Sequence, residues 1–323
     1  MGAVIALVCT TTASGIVAAP AGAAPGFAVT DLGPGKLVVI PGPAATWVDQ
    51  HPTDRLTPSI KRRIADRPNA LWVTGNLSDD LRNIRDAVGV ARRVDGTLQV
   101  VLYNIPGRND GLAPLTALSS GSYRQWVDAI STAIGPRTRT IVIVEPDALW
   151  FLDRQAGNIL SPAAQRLDLL RYAVTRFSKH NRSRIYVDAG TASGSVSPAR
   201  MATLLLDSGV NGNVGFAVNT SSFAPTERIK PYAMQIRAQL LRQGGVHARY
   251  VVDTSRNGNP NWDNTWCNPA GRKIGKLPGP VDADGQDYNL WIKQPGQSDG
   301  PCGTAPRSYG GEFLPGEATG MLG

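Results

Sequence analysis

The sequence predicts an α/β barrel of seven parallel strands, and three observations carry the prediction. Seven short apolar runs recur along the 323 residues with helix-like intervals between them. The runs are apolar on both faces, the pattern of strands covered by helices. Each run also ends, on its C-terminal side, in polar or charged residues, where a parallel barrel gathers its active site.

Taken in order, the runs are NALWVTG (69–75), LQVVLYN (98–104), RTIVIVEP (139–146), SRIYVDAG (183–190), NVGFAVNTS (213–221), RYVVDTS (249–255) and YNLWIKQP (288–295). The interval SPAAQRLDLLRYAVTRFSKH (161–180) opens on Ser161-Pro162, a good helix start, and then spaces Leu167, Leu170, Ala173 and Phe177 at helical intervals. SPARMATLLLDSG (197–209) repeats the design, with Pro198 at the start and Gly209 at the end. The stretch after Cys302 is rich in loop formers, and no final helix is expected there.

Residues 1–30 carry no charged side chain, and an apolar stretch leads into small residues such as Ala21-Gly22-Ala23. We expect residues 1–24 to be a secretory signal and 25–323 a single catalytic domain, exported or associated with the cell envelope. Cys9 falls within the signal, which leaves Cys267 and Cys302 as an even pair, and one disulfide is expected in an oxidising compartment.

The formal charge is +8, but Lys and Arg are scattered and never interleave with aromatics, which argues against nucleic-acid recognition. Three separated histidines and the cysteine pair have no metal-ligand spacing. No Gly-rich phosphate loop follows a strand, and no G-x-S-x-G elbow or strand-end histidine supports a Ser-His-Asp hydrolase. What remains is Asp147, Asp188, Asp253 and Asp299 with Arg108, Lys293 and several tryptophans. Carboxylates that protonate a leaving oxygen and activate water, beside aromatic faces that stack on rings, are the equipment of glycoside hydrolysis.

The motifs YNIPGRND, VEPDALW, YVDAG, AVNTSSF, VVDTSRNG, WCNPAGRKIG and LWIKQPGQSDG occur in that order between Trp72 and Cys302. Together they resemble glycoside hydrolase family 6, a family of inverting cellobiohydrolases and endoglucanases. The resemblance implies a distorted TIM-like (β/α) barrel of about seven strands, β-1,4-glucan as substrate, inversion at the anomeric carbon, and no cofactor or metal. It assigns Asp147 as general acid, a role that requires a proton at neutral pH, and Asp299 as the base, directly or through water. It places Asp188 and Lys293 against sugar near the cleavage point, Tyr103 on the distorted ring, Trp72 and Trp266 on neighbouring rings, and Asn219 at the cleft floor. Arg108 would orient a neighbouring carboxylate, and Cys267 and Cys302 match a family disulfide. Asp253 and Arg256 read equally well as a structural ion pair.

The chain departs from that pattern in four places. Asn109-Asp110 stands where the family has Asp-Cys, so Asn109 can hydrogen-bond to Asp147 but supplies no charge unless Asp110 takes over. Thr191 replaces a histidine, Gly194 a sugar-stacking tryptophan, and Gln297 a glutamate. Two readings follow: an endo-acting glucanase, or a catalytically weakened homologue that binds β-glucan or oligosaccharide. No Ser/Thr/Pro linker or separate carbohydrate-binding domain is visible, so a monomer acting on soluble chains is expected, without stable membrane insertion once the signal is removed.

Overall fold

The computed structural model describes residues 36–108, 120–154 and 163–323. The expected signal segment lies outside them. Two short helices, α1 (Pro43–Gln50) and α2 (Thr57–Ile60), and a π-helical turn (Lys61–Ala65) precede the sheet. The alternating part follows as β1 (Leu71–Val73), α3 (Leu77–Arg93), β2 (Leu98–Leu102), α4 (Ser120–Ile134), β3 (Thr140–Val144), α5 (Ala148–Arg154), α6 (Ala163–Phe177) and β4 (Ser183–Asp188). It continues through α7 (Pro198–Asp207), β5 (Val214–Val218), α8 (Thr226–Gly244), β6 (Tyr250–Asp253), β7 (Gly279–Ala283), β8 (Gln286–Leu290) and α9 (Pro315–Gly320).

All seven predicted runs are strands, and they lie side by side in chain order. The sheet reads β1-β2-β3-β4-β5-β6-β8-β7, parallel from β1 to β8, with β7 antiparallel at the edge. That eighth strand was not expected. It carries Pro280 and Asp282 and is largely exposed, so it lacks the apolar run that marks the others. The sheet curls as a distorted TIM-like barrel, but no ladder joins β1 to β8. A backbone bond from Ala70 N–H to the Trp291 carbonyl (3.0 Å) and the Trp72 indole on the Ile292 carbonyl (2.8 Å) span the seam instead.

Strand side chains alternate between two cores, as period-two geometry requires. Val100, Val142, Val144, Val187 and Phe216 face the helices, whereas Val101, Ile141, Ile143, Ala217 and Val251 fill the interior. Each fully buried aliphatic side chain contributes roughly 1.5–3 kcal/mol. At the N-terminal end of the barrel, Arg184, Arg249 and the Tyr186 hydroxyl converge on buried Asp287. Those charges serve stability; the opposite end holds the chemistry.

Local chemistry sets the helix boundaries. The Asn76 carbonyl oxygen of the side chain caps α3 and Ser197 caps α7, each accepting from the amide three residues on. The tail corrects the expectation of no final helix. Pro315 begins α9, Ala318 packs into a small core with Ala44, Val48, Ile60 and Ile64, and the Met321 carbonyl accepts from Ile274 N–H (3.1 Å). Two glycines in six residues hide that helix from sequence, and tertiary burial stabilises it. Among the described residues no helix is long and apolar enough to cross a membrane.

Candidate active site

Six of the parallel strands deliver a polar side chain to one face at their C-terminal ends. Asp188 and Asp253 are the last residues of β4 and β6, Glu145 and Asn219 follow β3 and β5 directly, and Asn104 and Lys293 lie just past β2 and β8. Two of the turns there use left-handed backbone at residues with a Cβ: Glu145 (φ 47°) and Asp147 (φ 70°) after β3, Asn219 (φ 67°) and Ser221 (φ 57°) after β5. Such conformations cost about 1–3 kcal/mol each and persist where the surroundings over-determine them.

One side of the site is a carboxylate held by cations. Asp299 Oδ1 accepts from Lys293 Nζ at 2.6 Å and from the Arg256 guanidinium at 2.9 Å, while Oδ2 accepts from Asn268 N–H at 3.1 Å. Although burial opposes charge, Arg256 and Lys293 together bring Asp299 down to about 2. Burial in turn lowers Lys293 from its ordinary value, against the attraction of Asp299. Arg256 therefore pairs with Asp299, not with Asp253. Asp253 instead spends its oxygens on backbone amides, those of Ser255 (3.0 Å), Ser221 (3.0 Å) and Lys293 (3.2 Å). Arg256 also stacks on Phe223, and the two line a cavity of about 300 Å³ with Trp262, Thr265, Asn268 and Arg272.

The Cys267–Cys302 disulfide forms, with Cα atoms 6.0 Å apart, as the cysteine count and the family resemblance both expected. It lies between residues that matter: Trp266 and Asn268 flank Cys267, and Asp299 precedes Cys302 by one turn. Trp266 is 65% exposed, a flat surface free to stack on a ring.

The other side groups Asp147 with two buried carboxylates, Asp188 and Glu145. Asp147 N–H donates to Asp188 Oδ2 at 3.0 Å, and Gly190 N–H donates to the same oxygen at 3.1 Å. Asp188 is fully buried, and desolvation raises it to about 6. Glu145 is buried as well. It accepts from the amides of Asn104 (2.8 Å) and Ile105 (2.9 Å) and from the Tyr123 hydroxyl (2.9 Å), yet burial still pushes it up to about 7. Glu145 is visible in VEPD but was assigned no role, because its partners lie on other elements.

Tyr103 sits over this group, edge-on to Trp72 with ring centres 5.3 Å apart. Its phenol is raised first by burial and then by the charge of Asp147, and that same charge works against the lowering of Lys293. Arg108 lies at the edge of the described residues, and its charge lowers the Glu145 carboxylate. Its guanidinium donates to the carbonyls of Thr74 (2.8 Å) and Tyr103 and to Asn104 Oδ1 (3.2 Å), and its plane lies over the Tyr103 ring. It ties the ends of β1 and β2 together; the described contacts include no carboxylate.

Asn219 is buried just past β5 with its amide committed to Ala224 and the Asp253 carbonyl, while Thr191 donates to its oxygen at 3.0 Å. Gln297 bonds the Gln294 amide and the Gly311 carbonyl, and the second of these needs the N–H that a glutamate lacks. A Cβ at Gly194 would meet no atom of the described residues within 4 Å. Asn109 lies outside the described residues. Among those residues no three His, Cys, Asp or Glu side chains gather as a metal ligand set.

The model of glycosyl hydrolases family 6 matches residues 43–318. The chain belongs to that family. Within family 6 it is 37% identical over 264 residues to endoglucanase A of Cellulomonas fimi, covering 80% of this chain and 55% of that protein. It thus spans about half the length of that relative. It is 33% identical to endoglucanase 1 of Streptomyces halstedii over 286 residues, 86% of this chain and 85% of the relative. Among solved structures it resembles the endoglucanase Cel6 from Mycobacterium tuberculosis in complex with a methyl-cellobiosyl-4-deoxy-4-thio-β-D-cellobioside. That match has a TM-score of 0.76 and 32% identity and covers 89% of this chain and 96% of the other.

Proposed function

We propose that this family 6 chain is an exported, monomeric endoglucanase that cleaves β-1,4-glucan with inversion. Asp147 gives its proton to the glycosidic oxygen as the bond to C1 breaks, and water attacks C1 from the opposite face. Asp299 receives the water's proton, directly or through further water. Its two cationic partners make it a weak base, which favours the relay. Tyr103, Trp72 and Trp266 contact the sugar rings, and Lys293 and Asp188 the hydroxyls near the scissile bond. Asn219 and Arg108 hold the floor and rim in shape.

The observation that supports this reading is the gathering of Asp188, Lys293 and Asp299 with the Asp147 turn past the C-terminal ends of the parallel strands, where Asp147 N–H bonds Asp188 and Lys293 bonds Asp299. A second reading, binding with little turnover, rests on the neutral Asn109 standing where the family pattern has Asp. Reducing-end release from a soluble β-1,4-glucan separates the two. The endoglucanase reading expects activity that Asp147→Asn lowers at least about 100-fold, within the range of general acid catalysis. Activity that emerges only in Asn109→Asp would establish the binding reading.

A further inference from the structure

Two buried charged side chains, from different elements, bridge the loop that leaves β2 to the turn and helix start that follow β3. Glu145 comes from the turn after β3 and accepts from the amides of Asn104 and Ile105 in the loop that leaves β2. Arg166 comes from α6 and is 1% exposed. Its guanidinium donates to the Ala148 carbonyl (3.4 Å) and to the Gly107 carbonyl (3.0 Å). Asp147 lies between the two anchored points, two residues after Glu145 and one before Ala148.

Neither segment is covered by the sheet ladder, which for β2 and β3 ends at Leu102 and Val144. Backbone groups that leave a ladder inside a protein need other partners, or their burial costs free energy. Here an anion meets the donors and a cation meets the acceptors. Tyr123, from α4, adds a hydroxyl to Glu145 at 2.9 Å and anchors the anion to a third element. The turn they hold is left-handed at both Glu145 and Asp147, a shape that relaxes unless it is held.

We propose that Glu145 and Arg166 are positioning residues that brace the turn carrying Asp147 against the β2 exit loop and so set where the acid delivers its proton. The proposal rests on the acid role of Asp147. It concerns kcat, because the brace touches no substrate and acts through the placement of one carboxyl group.

The test compares leaving groups in the full chain. Cleavage of an unactivated cello-oligosaccharide needs Asp147's proton on the departing oxygen, whereas 2,4-dinitrophenolate leaves without one as water forms the new bond to C1. Glu145→Met removes the oxygen that accepts both backbone N–H groups. It is expected to lower kcat on cellotetraose about tenfold or more, with KM within about twofold, and to lower the rate on a dinitrophenyl cellobioside about threefold or less. Arg166→Met gives the same pattern. Tyr123→Phe keeps both backbone bonds and gives a smaller selective loss, and it decides the question if Glu145→Met does not fold. Equal losses on both substrates, or none on either, in folded variants overturn the proposal. Asp147→Asn runs alongside. A selective loss there beside unselective brace variants defeats the brace alone, and an unselective loss in Asp147→Asn removes the acid role and the proposal together.

Discussion

The two sides of the site use the same residue type under opposite fields. Near β3 and β4, Glu145 and Asp188 are buried, and desolvation raises them to about 7 and about 6. Near β6 and β8, Asp299 is just as buried, but Arg256 and Lys293 hold it at about 2. Burial alone does not set protonation; the sign of the neighbouring charge decides it. A site that separates its carboxylates in this way has one end suited to holding protons and one that stays ionised, the division of labour that acid–base hydrolysis needs.

The contrast breaks most sharply at Arg256. Arg256→Met leaves Asp299 buried with Lys293 as its remaining cation, and removing one partner of a buried pair costs about 3–5 kcal/mol. Urea unfolding checks the stability loss, and the acid limb of the pH–rate profile is expected to move upward as Asp299 becomes easier to protonate. Arg184, whose ion pair with Asp287 lies at the other end of the barrel, is expected to leave that profile in place when changed to Met.

The same contrast predicts how stability depends on pH. Glu145 rises from 4.5 unfolded to about 7 folded, so its contribution is complete below pH 4.5 and is lost as pH climbs through 7. That difference is worth roughly 3 kcal/mol, and Asp188 acts in the same direction. Asp299 runs the other way: its contribution is present above 3.8 and lost as pH falls through 2. Thermal unfolding between pH 2 and 8 is expected to give the highest Tm near pH 4–5. Glu145→Gln should flatten the neutral arm and Asp299→Asn the acid arm. A Tm that rises from pH 5 to 8 would contradict the assignment.

The smallest effect is at the surface beside the clamp. Trp266→Ala removes an exposed ring and is expected to raise KM for cello-oligosaccharides about threefold to tenfold, on the scale of aromatic contacts. Tm should barely move, because little packing is lost. Trp72→Ala is the partner experiment: its indole spans the seam to Ile292, so Tm should fall along with affinity.

Much of this was legible in the chain. β1 to β6 and β8 were readable because doubly covered strands are dense in Val, Ile and Leu, and the strand-end acids followed from the order of parallel strands. β7 was hidden by its Pro and Asp, and α9 by its glycines. The partner of Arg256 was also hidden. Sequence offered Asp253, three residues away, whereas folding brings up Asp299 across 43 residues.

The sequence by itself therefore determined the alternation of strands and helices, the family, the acid motif and the identity of the residues gathered at one end. Local composition and periodicity encode those things directly. Only the tertiary structure decided which cation meets which carboxylate, that Glu145 and Arg166 anchor the backbone on either side of Asp147, and that Arg108 and Asn219 bond backbone carbonyls. Charge pairing and desolvation depend on distances between residues far apart in the chain, and no short-range pattern records them.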